Sequence, residues 1–417
     1  MIKNIYRVSI NNLLIVLCIM ATVQGIIKVV NDKYFNGIIM WKEIIFILTI
    51  FVLVFYAIVN CKIYKSNIVA IYFLSIIFPL CINIFINLNN VNIKQMLWGA
   101  KPFYFYSLII FFIVVLSQKE RRQILKNIIE KLIYISLPIH LIGILQLIVG
   151  KEFFYQRYSE YVKVSSINGI FRIFSTFTEP FAYGSFCVMM IFFILSRRKY
   201  YNKKGLNLTV ILSIIGIFLS TSREAILAFT FGLILYFVLI NIKKFRYKYL
   251  FISIGFIIPI IMIFSIVAIA YQNINIFLDH KIVSSFSSSS SVQERFQIWK
   301  QAFNYNKMEN IANILIGKGI GTIGAGQSRF ASTSNPGDNI YIQLLVNQGL
   351  IGLVGFLMFN FYVLTNKIKA IITDSHEWID IGFVIWISGL LVGGFFRSFL
   401  DGFPTHLYYW VFIALIA

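Results

Sequence analysis

Residues 313–356 read NILIGKGIGTIGAGQSRFASTSNPGDNIYIQLLVNQGLIGLVGF. The stretch runs from a glycine-rich turn through a polar loop into an apolar helix, and that change of pattern sets the reading of the whole chain. Gly317, Gly319, Gly321, Gly324 and Gly326 permit positive φ and close approach to a ligand. Pro336 and Gly337 punctuate the loop, and Asp338 is placed to cap the next helix by accepting its first free N–H groups. A plain extramembrane loop between two spans would have the same polarity. The surroundings must therefore decide whether the stretch is functional.

The surroundings are apolar. The 417 residues are 59% hydrophobic and 13% charged, with a mean hydropathy of +0.81, which lies outside the range of ordinary soluble domains. The expected fold class is an all-α polytopic membrane protein. Spans read at roughly 13–30, 44–60, 67–87, 97–117, 128–149, 180–196, 206–220, 223–241, 249–271, 339–365, 379–396 and 404–417, about twelve in all. The first is too long for a signal peptide and lacks a clear small-residue cleavage site, so it reads as an uncleaved span. The last is short, so the chain is expected to continue beyond Ala417. Three regions follow: a bundle of nine spans over 1–271, a large outer loop over 272–338, and three final spans over 339–417.

A net charge of +21 suggests nucleic acid, but the basic residues sit in short loops between apolar runs, where they set topology. Lys62 and Lys65, Lys119 to Lys126, Arg197 to Lys204, Lys243 to Lys248, and Lys367 with Lys369 occupy alternate loops. These loops face the cytoplasm under the positive-inside rule, as do both termini. Cys18, Cys61, Cys81 and Cys187 fall in spans or at their inner ends, so no disulfide framework or metal site follows. The outer loop includes SSFSSSSS at 284–291, a flexible linker, and then a run with Val292, Phe296, Trp299 and Phe303 on one helical face. That helix is expected along the membrane surface or over the bundle.

With this topology every even-numbered span presents its N-terminus, the positive end of the helix dipole, to the outer face. Those entries carry the functional side chains. Span six begins FRIFSTFTEPFAYG, with Arg172, Thr178 as a cap, Glu179, and Pro180 in the first turn. Span eight begins STSREA, where Thr221 and Glu224 fit a capping box around Arg223. Span ten follows Asp338 and Asn339, and span twelve follows RSFLDGFPTH with Arg397, Asp401 and His406. Helix N-termini and arginines on one face form a cradle for phosphate or pyrophosphate. Arg295 and Arg329 in the long loop are further candidates. Local alternatives remain: Arg223 pairing with Glu224, Arg172 reaching headgroups, Asp338 acting only as a cap. Asp338, Glu179 and His406 are the candidate bases, while His140 reads as a packed histidine of the bundle. GKGIGT at 317–322 has neither the spacing nor the preceding strand of a nucleotide loop.

The segments FRIFSTFTEP, LSTSREAILAF and LIGKGIG…DNIYIQLLVNQGLIGLVGF resemble, in order, the O-antigen polymerase and ligase family of bacterial envelope proteins. The similarity covers Arg172 to Gly355 by motif and the whole chain by topology. It implies a metal-independent glycosyltransferase without a cofactor, in the bacterial cytoplasmic membrane. The implied substrate is an undecaprenyl-pyrophosphate-linked oligosaccharide, polymerised at the outer face into O-antigen or capsular polysaccharide. A chain-length regulator and a flippase are the implied partners. Arg172 and Arg223 would hold the pyrophosphate. Many members, ligases especially, have His-Asn where this chain has Asp338-Asn339, which favours a polymerase and leaves the ligase as the alternative. A lipid flippase or transporter is the rival from another class, although polar residues within the spans are sparse.

Overall fold

A bilayer offers no water to backbone N–H and C=O groups, so apolar runs fold as helices that satisfy those groups internally. A computed structural model of the chain describes residues 2–34, 40–60, 64, 66–158, 164–167, 170–198, 204–241, 311–324, 339–373 and 375–416. The expected span at 249–271, the serine linker and the amphipathic run from Val292 lie outside these residues, as do Arg295, Arg329 and Asp338.

In chain order the helices are α1 (Ile2–Thr22), α2 (Gln24–Tyr34), α3 (Trp41–Asn60), α4 (Asn67–Asn87), α5 (Ile93–Tyr104) and α6 (Tyr106–Val115). Then come α7 (Gln118–Val149), α8 (Lys151–Tyr158), α9 (Pro180–Arg198), α10 (Lys204–Ser220) and α11 (Arg223–Asn241). After the glycine-rich region's short α12 (Ile311–Ile316) follow α13 (Ile340–Ile372), α14 (Trp378–Gly393) and α15 (Thr405–Ile416). A two-residue antiparallel pair, Ser166–Ile167 with Ile170–Phe171, lies between α8 and α9.

Among the described residues seven helices are long and apolar enough to cross a membrane, or eight if α5 and α6, bent by 52°, make one span. Of the other expected spans, three correspond to α10, α14 and α15, which are apolar but shorter, and the one at 249–271 lies outside the described residues. The first expected span is divided. α1 starts at Ile2 and stops at Thr22, and α2 begins at Gln24. The break coincides with a close contact: Gly25 N–H donates to the Thr176 carbonyl at 2.8 Å, and a Cβ on Gly25 would lie 2.3 Å from the Phe177 carbonyl oxygen.

Burial separates centre from periphery. α9 and α13 are mostly enclosed by protein, whereas only a minority of the residues of α1, α3, α4 and α11 are buried. Phe51, Phe55 and Ile58 on α3 are exposed large hydrophobics of the kind that face lipid. α9 packs against α10, α14 and α11, and α14 against α11. The α11–α14 contact is close because Gly389 and Gly393, four residues apart, meet Ala228 and Glu224, also four apart. A Cβ on Gly389 would stand 3.0 Å from the Ala228 carbonyl oxygen, and one on Gly393 3.1 Å from that of Glu224. This contact sets the height of the turn that follows α14.

Candidate functional site

The segment before α9 is fixed from below. Gln146 near the end of α7 accepts from Ser175 N–H at 2.7 Å and donates to the Ser175 carbonyl at 2.6 Å. Thr176 Oγ1 donates to the Thr22 carbonyl at 2.5 Å. α9 then starts at Pro180 as the sequence indicates. Glu179 holds the capping position, with its carbonyl accepting from Tyr183 N–H at 3.4 Å. Thr178 is therefore not the cap.

Upstream, Ile173 N–H donates to the Leu219 carbonyl at 3.0 Å, and Arg172 Nε donates to the Ser220 carbonyl at 3.2 Å. These bonds join the FRIFSTFTEP and LSTSREA motifs, far apart in sequence. The capping box expected at Thr221 and Glu224 does not form. Thr221 takes a positive φ of 45°, its Oγ1 is buried without a hydrogen-bond partner among the described residues, and Ile226 N–H closes the first turn on the Ser222 carbonyl. Glu224 is instead buried, lining a small cavity with Phe181, Ser185, Gly393 and Arg397. Among the described residues no ion pair joins Arg223 to Glu224, so the expected local pairing of that arginine is absent.

Arg397 lies just beyond α14. Its Nη2 donates to Glu179 Oε2 at 2.5 Å, and its guanidinium carbon stands 4.8 Å from the centre of the Phe181 ring. A partly enclosed pair of this kind fixes the direction of the guanidinium fork. Gly402 completes the enclosure: a Cβ there would lie 3.1 Å from the Phe181 ring and 3.5 Å from Glu179 Oε1. His406 stands behind this layer. Its Nδ1 is 3.0 Å from the Gly402 carbonyl, and its ring packs on Tyr106 and Phe403, with 5% exposure. That is the setting of a packed histidine facing away from solvent.

The entry to α13 reaches the same end. Ile340 N–H donates to the Gly394 carbonyl at 3.1 Å, within one turn of Arg397. The cap of α13 is Asn339, whose Oδ1 accepts from Tyr341 N–H at 2.9 Å and Ile342 N–H at 3.2 Å. The capping role expected of Asp338 thus belongs to its neighbour. The segments that carry Arg172, Glu179, Arg223, Asn339 and Arg397 thus lie at one end of the bundle.

The glycine-rich turn packs closely against the rest of the protein. Gly317, Gly319, Gly321 and Gly324 do take positive φ, at 83°, 108°, 86° and 84°. They approach protein, however. α13 loses helical geometry at Gly349 (φ 69°, ψ −169°), which leaves carbonyls of the preceding turn without helical donors. The glycine turn supplies donors: Lys318 N–H to the Val346 carbonyl at 2.9 Å and Gly319 N–H to that of Asn347 at 3.2 Å. Asn83 on α4 donates to the Asn347 carbonyl at 2.8 Å and accepts from Ile320 N–H at 3.1 Å, and Gln95 on α5 donates to the Gly321 carbonyl at 2.7 Å. Asn347 Oδ1 accepts from Thr322 Oγ1 at 2.8 Å and from Ile323 N–H at 3.1 Å.

Sequence reasoning missed these buried amides. Their signal was available: Asn83, Gln146, Gln343 and Asn347 interrupt apolar runs, where an unpaired amide is costly. His140 behaves as expected of a packed residue, with Nε2 2.9 Å from Ser213 Oγ and Nδ1 3.1 Å from the Tyr183 hydroxyl. Among the described residues no three His, Cys, Asp or Glu side chains converge as metal ligands.

These features define an all-helical membrane protein with an arginine-bearing, partly enclosed polar end. The family model described as O-antigen ligase matches residues 208–357, which supports the O-antigen polymerase and ligase family. The match takes in Arg223, the glycine turn and Asn339, whereas Arg172, Glu179, Arg397 and His406 lie outside it. The match supports a polymerase or ligase role in general and does not distinguish the two. No curated protein matches the chain.

Proposed function

We propose that the chain polymerises oligosaccharide repeat units carried on undecaprenyl pyrophosphate, at the outer face of the cytoplasmic membrane. The observation that carries this reading is the convergence of Arg172, Arg223 and Arg397, from three distant segments, at one end of the bundle. A sugar hydroxyl of one repeat attacks the anomeric carbon of the growing chain, and the bond from that carbon to the pyrophosphate oxygen breaks. Undecaprenyl pyrophosphate departs with the electron pair, and the hydroxyl proton passes to a base. Because the leaving group is good once its charge is held, positioning and electrostatic stabilisation by arginines are the main tasks, without a metal.

Glu179 takes a different role from that of base. Held 2.5 Å from Arg397, it orients the guanidinium, and Asp338 remains the candidate proton acceptor, adding about 10²–10⁴-fold in rate. Purified protein supplied with a lipid-linked repeat should make polymer without an energy source. Arg223→Ala should abolish polymer with little loss of stability, since no ion pair holds Arg223 among the described residues, and Lys at 223 should restore it only in part. Wild-type polymer from Arg223→Ala would refute the cradle.

The description of the matching family favours a second reading, transfer of finished glycan to a different acceptor. Incubation with repeat units alone separates them, because only a polymerase then forms a ladder of products.

A further inference from the structure

At the opposite end of the bundle, where α7 begins and α13 ends, lies a cavity of about 810 Å³ lined by Lys119, Arg122, Lys126, Asn366, Lys367 and Glu377. A second cavity of about 270 Å³, lined by Arg121, Tyr362 and Val363, shares Gln118, Asn366 and Lys367 with it. Nothing in the proposed transfer uses either one.

The basic groups here are only partly answered. Arg122 Nη1 lies 3.3 Å from Glu377 Oε1 and 3.5 Å from Asp380 Oδ2, and Lys367 Nζ is 3.7 Å from Asp380 Oδ1. Glu120 is engaged elsewhere, accepting from Ser117 N–H at 2.9 Å and facing Arg7 at 3.6 Å. Arg121 is 5% exposed, yet its Nε and Nη1 are buried with no hydrogen-bond partner among the described residues. A buried guanidinium is costly unless an anion meets it. Lys119 and Lys126 at the rim have no carboxylate partner among the described residues either. On α13, exposed Ile351, Val354 and Met358, spaced three and four apart, lead along the helix towards Tyr362 at the cavity wall.

We propose that these two adjoining cavities bind the phosphodiester headgroup of an anionic phospholipid, with the phosphate where they meet at Lys367, between Arg121 of the smaller and the rim lysines of the larger, and an acyl chain along the α13 stripe. The stripe selects a lipid over a free phosphate. The proposal does not rest on the transferase reading.

Native mass spectrometry of the full chain in detergent tests it with phosphatidylglycerol and phosphatidylcholine as probes. Wild-type protein should retain phosphatidylglycerol preferentially. Arg121→Gln, in the buried wall, and Lys126→Gln, at the half-buried rim, should each weaken that retention about fivefold while leaving phosphatidylcholine unchanged. Equal retention of both lipids by wild type overturns the proposal, as does a folded Lys126→Gln protein with undiminished preference. Displacement of phosphatidylglycerol by an equimolar amount of inorganic phosphate overturns the lipid assignment in favour of a free anion.

Discussion

Replacing Gly349 by Ala tests whether the glycine-rich turn is structural. The backbone there (φ 69°, ψ −169°) is a conformation essentially confined to glycine, and a side chain costs about 1–3 kcal/mol. The new Cβ would also lie 2.4 Å from the carbonyl carbon and oxygen of Leu315, so the Leu315–Gly317 segment must retreat by about 1 Å to restore ordinary contact. That movement carries Lys318 N–H and Gly319 N–H, now 2.9 and 3.2 Å from their acceptors, out of hydrogen-bond range. Each buried group left unpaired costs about 1–3 kcal/mol. Two such losses plus the strain reach about 3–9 kcal/mol, against a total stability of about 5–15 kcal/mol for a folded protein. The Gly349→Ala protein should therefore be recovered in low yield with a much lower Tm in detergent. Gly150→Ala is the control: its backbone (φ 87°, ψ 167°) lies in the same glycine region, but nothing lies within 4 Å of its Cβ, so it should cost only the strain of about 1–3 kcal/mol. Wild-type yield and Tm for Gly349→Ala, with activity alone lost, would refute the structural account and return the glycines to ligand binding.

Three further outcomes follow from the site. Glu179→Gln keeps a hydrogen-bonding group beside Arg397 but removes the charge, so polymer should fall while Tm changes little, and Arg397→Ala should abolish polymer in either background; additive losses in the double variant would show that the two residues do not act as a unit. Asn339→Ala should cost about 1 kcal/mol through loss of the α13 cap, read as a lower Tm, whereas Asp338→Ala should leave Tm unchanged and cut polymer steeply; the reverse pattern would return the cap to Asp338. Cysteines placed at Ser288 or Thr333 should react with an impermeant thiol reagent from outside and those at Lys203 or Lys369 should not, and inverted labelling would move the arginine-bearing end to the cytoplasm.

Local rules identified the elements governed by local physics. Apolar run length located most of the described helices, Pro180 marked the start of α9, and Gly317, Gly319, Gly321 and Gly324 take the positive φ expected of them. What each feature meets was not legible, because the partner lies far along the chain. The glycine turn meets the break in α13 and the amides of α4, and Glu179 meets Arg397 across 218 residues. The cap at α13 was misplaced by one residue because Asp338 and Asn339 have nearly equal capping preference, and tertiary contact with Gly394 sets the register. Thr221 and Glu224 satisfied a motif in spacing, but the positive φ of Thr221 breaks the box, and Glu224 faces the interior instead.

The length of α14 has a consequence for how a lipid-linked donor would arrive. Its 16 residues rise only about 24 Å, less than the ~30 Å hydrocarbon thickness of a typical bilayer. With Trp378 at the level of the opposite headgroups, a helix along the membrane normal ends about 6 Å short of the far boundary. Arg397 and Glu179 then sit sunk below the surface, walled by α9 and α11. A pyrophosphate on a carrier lipid could be drawn sideways out of the leaflet to that level, and the sugar chain alone would have to project into water.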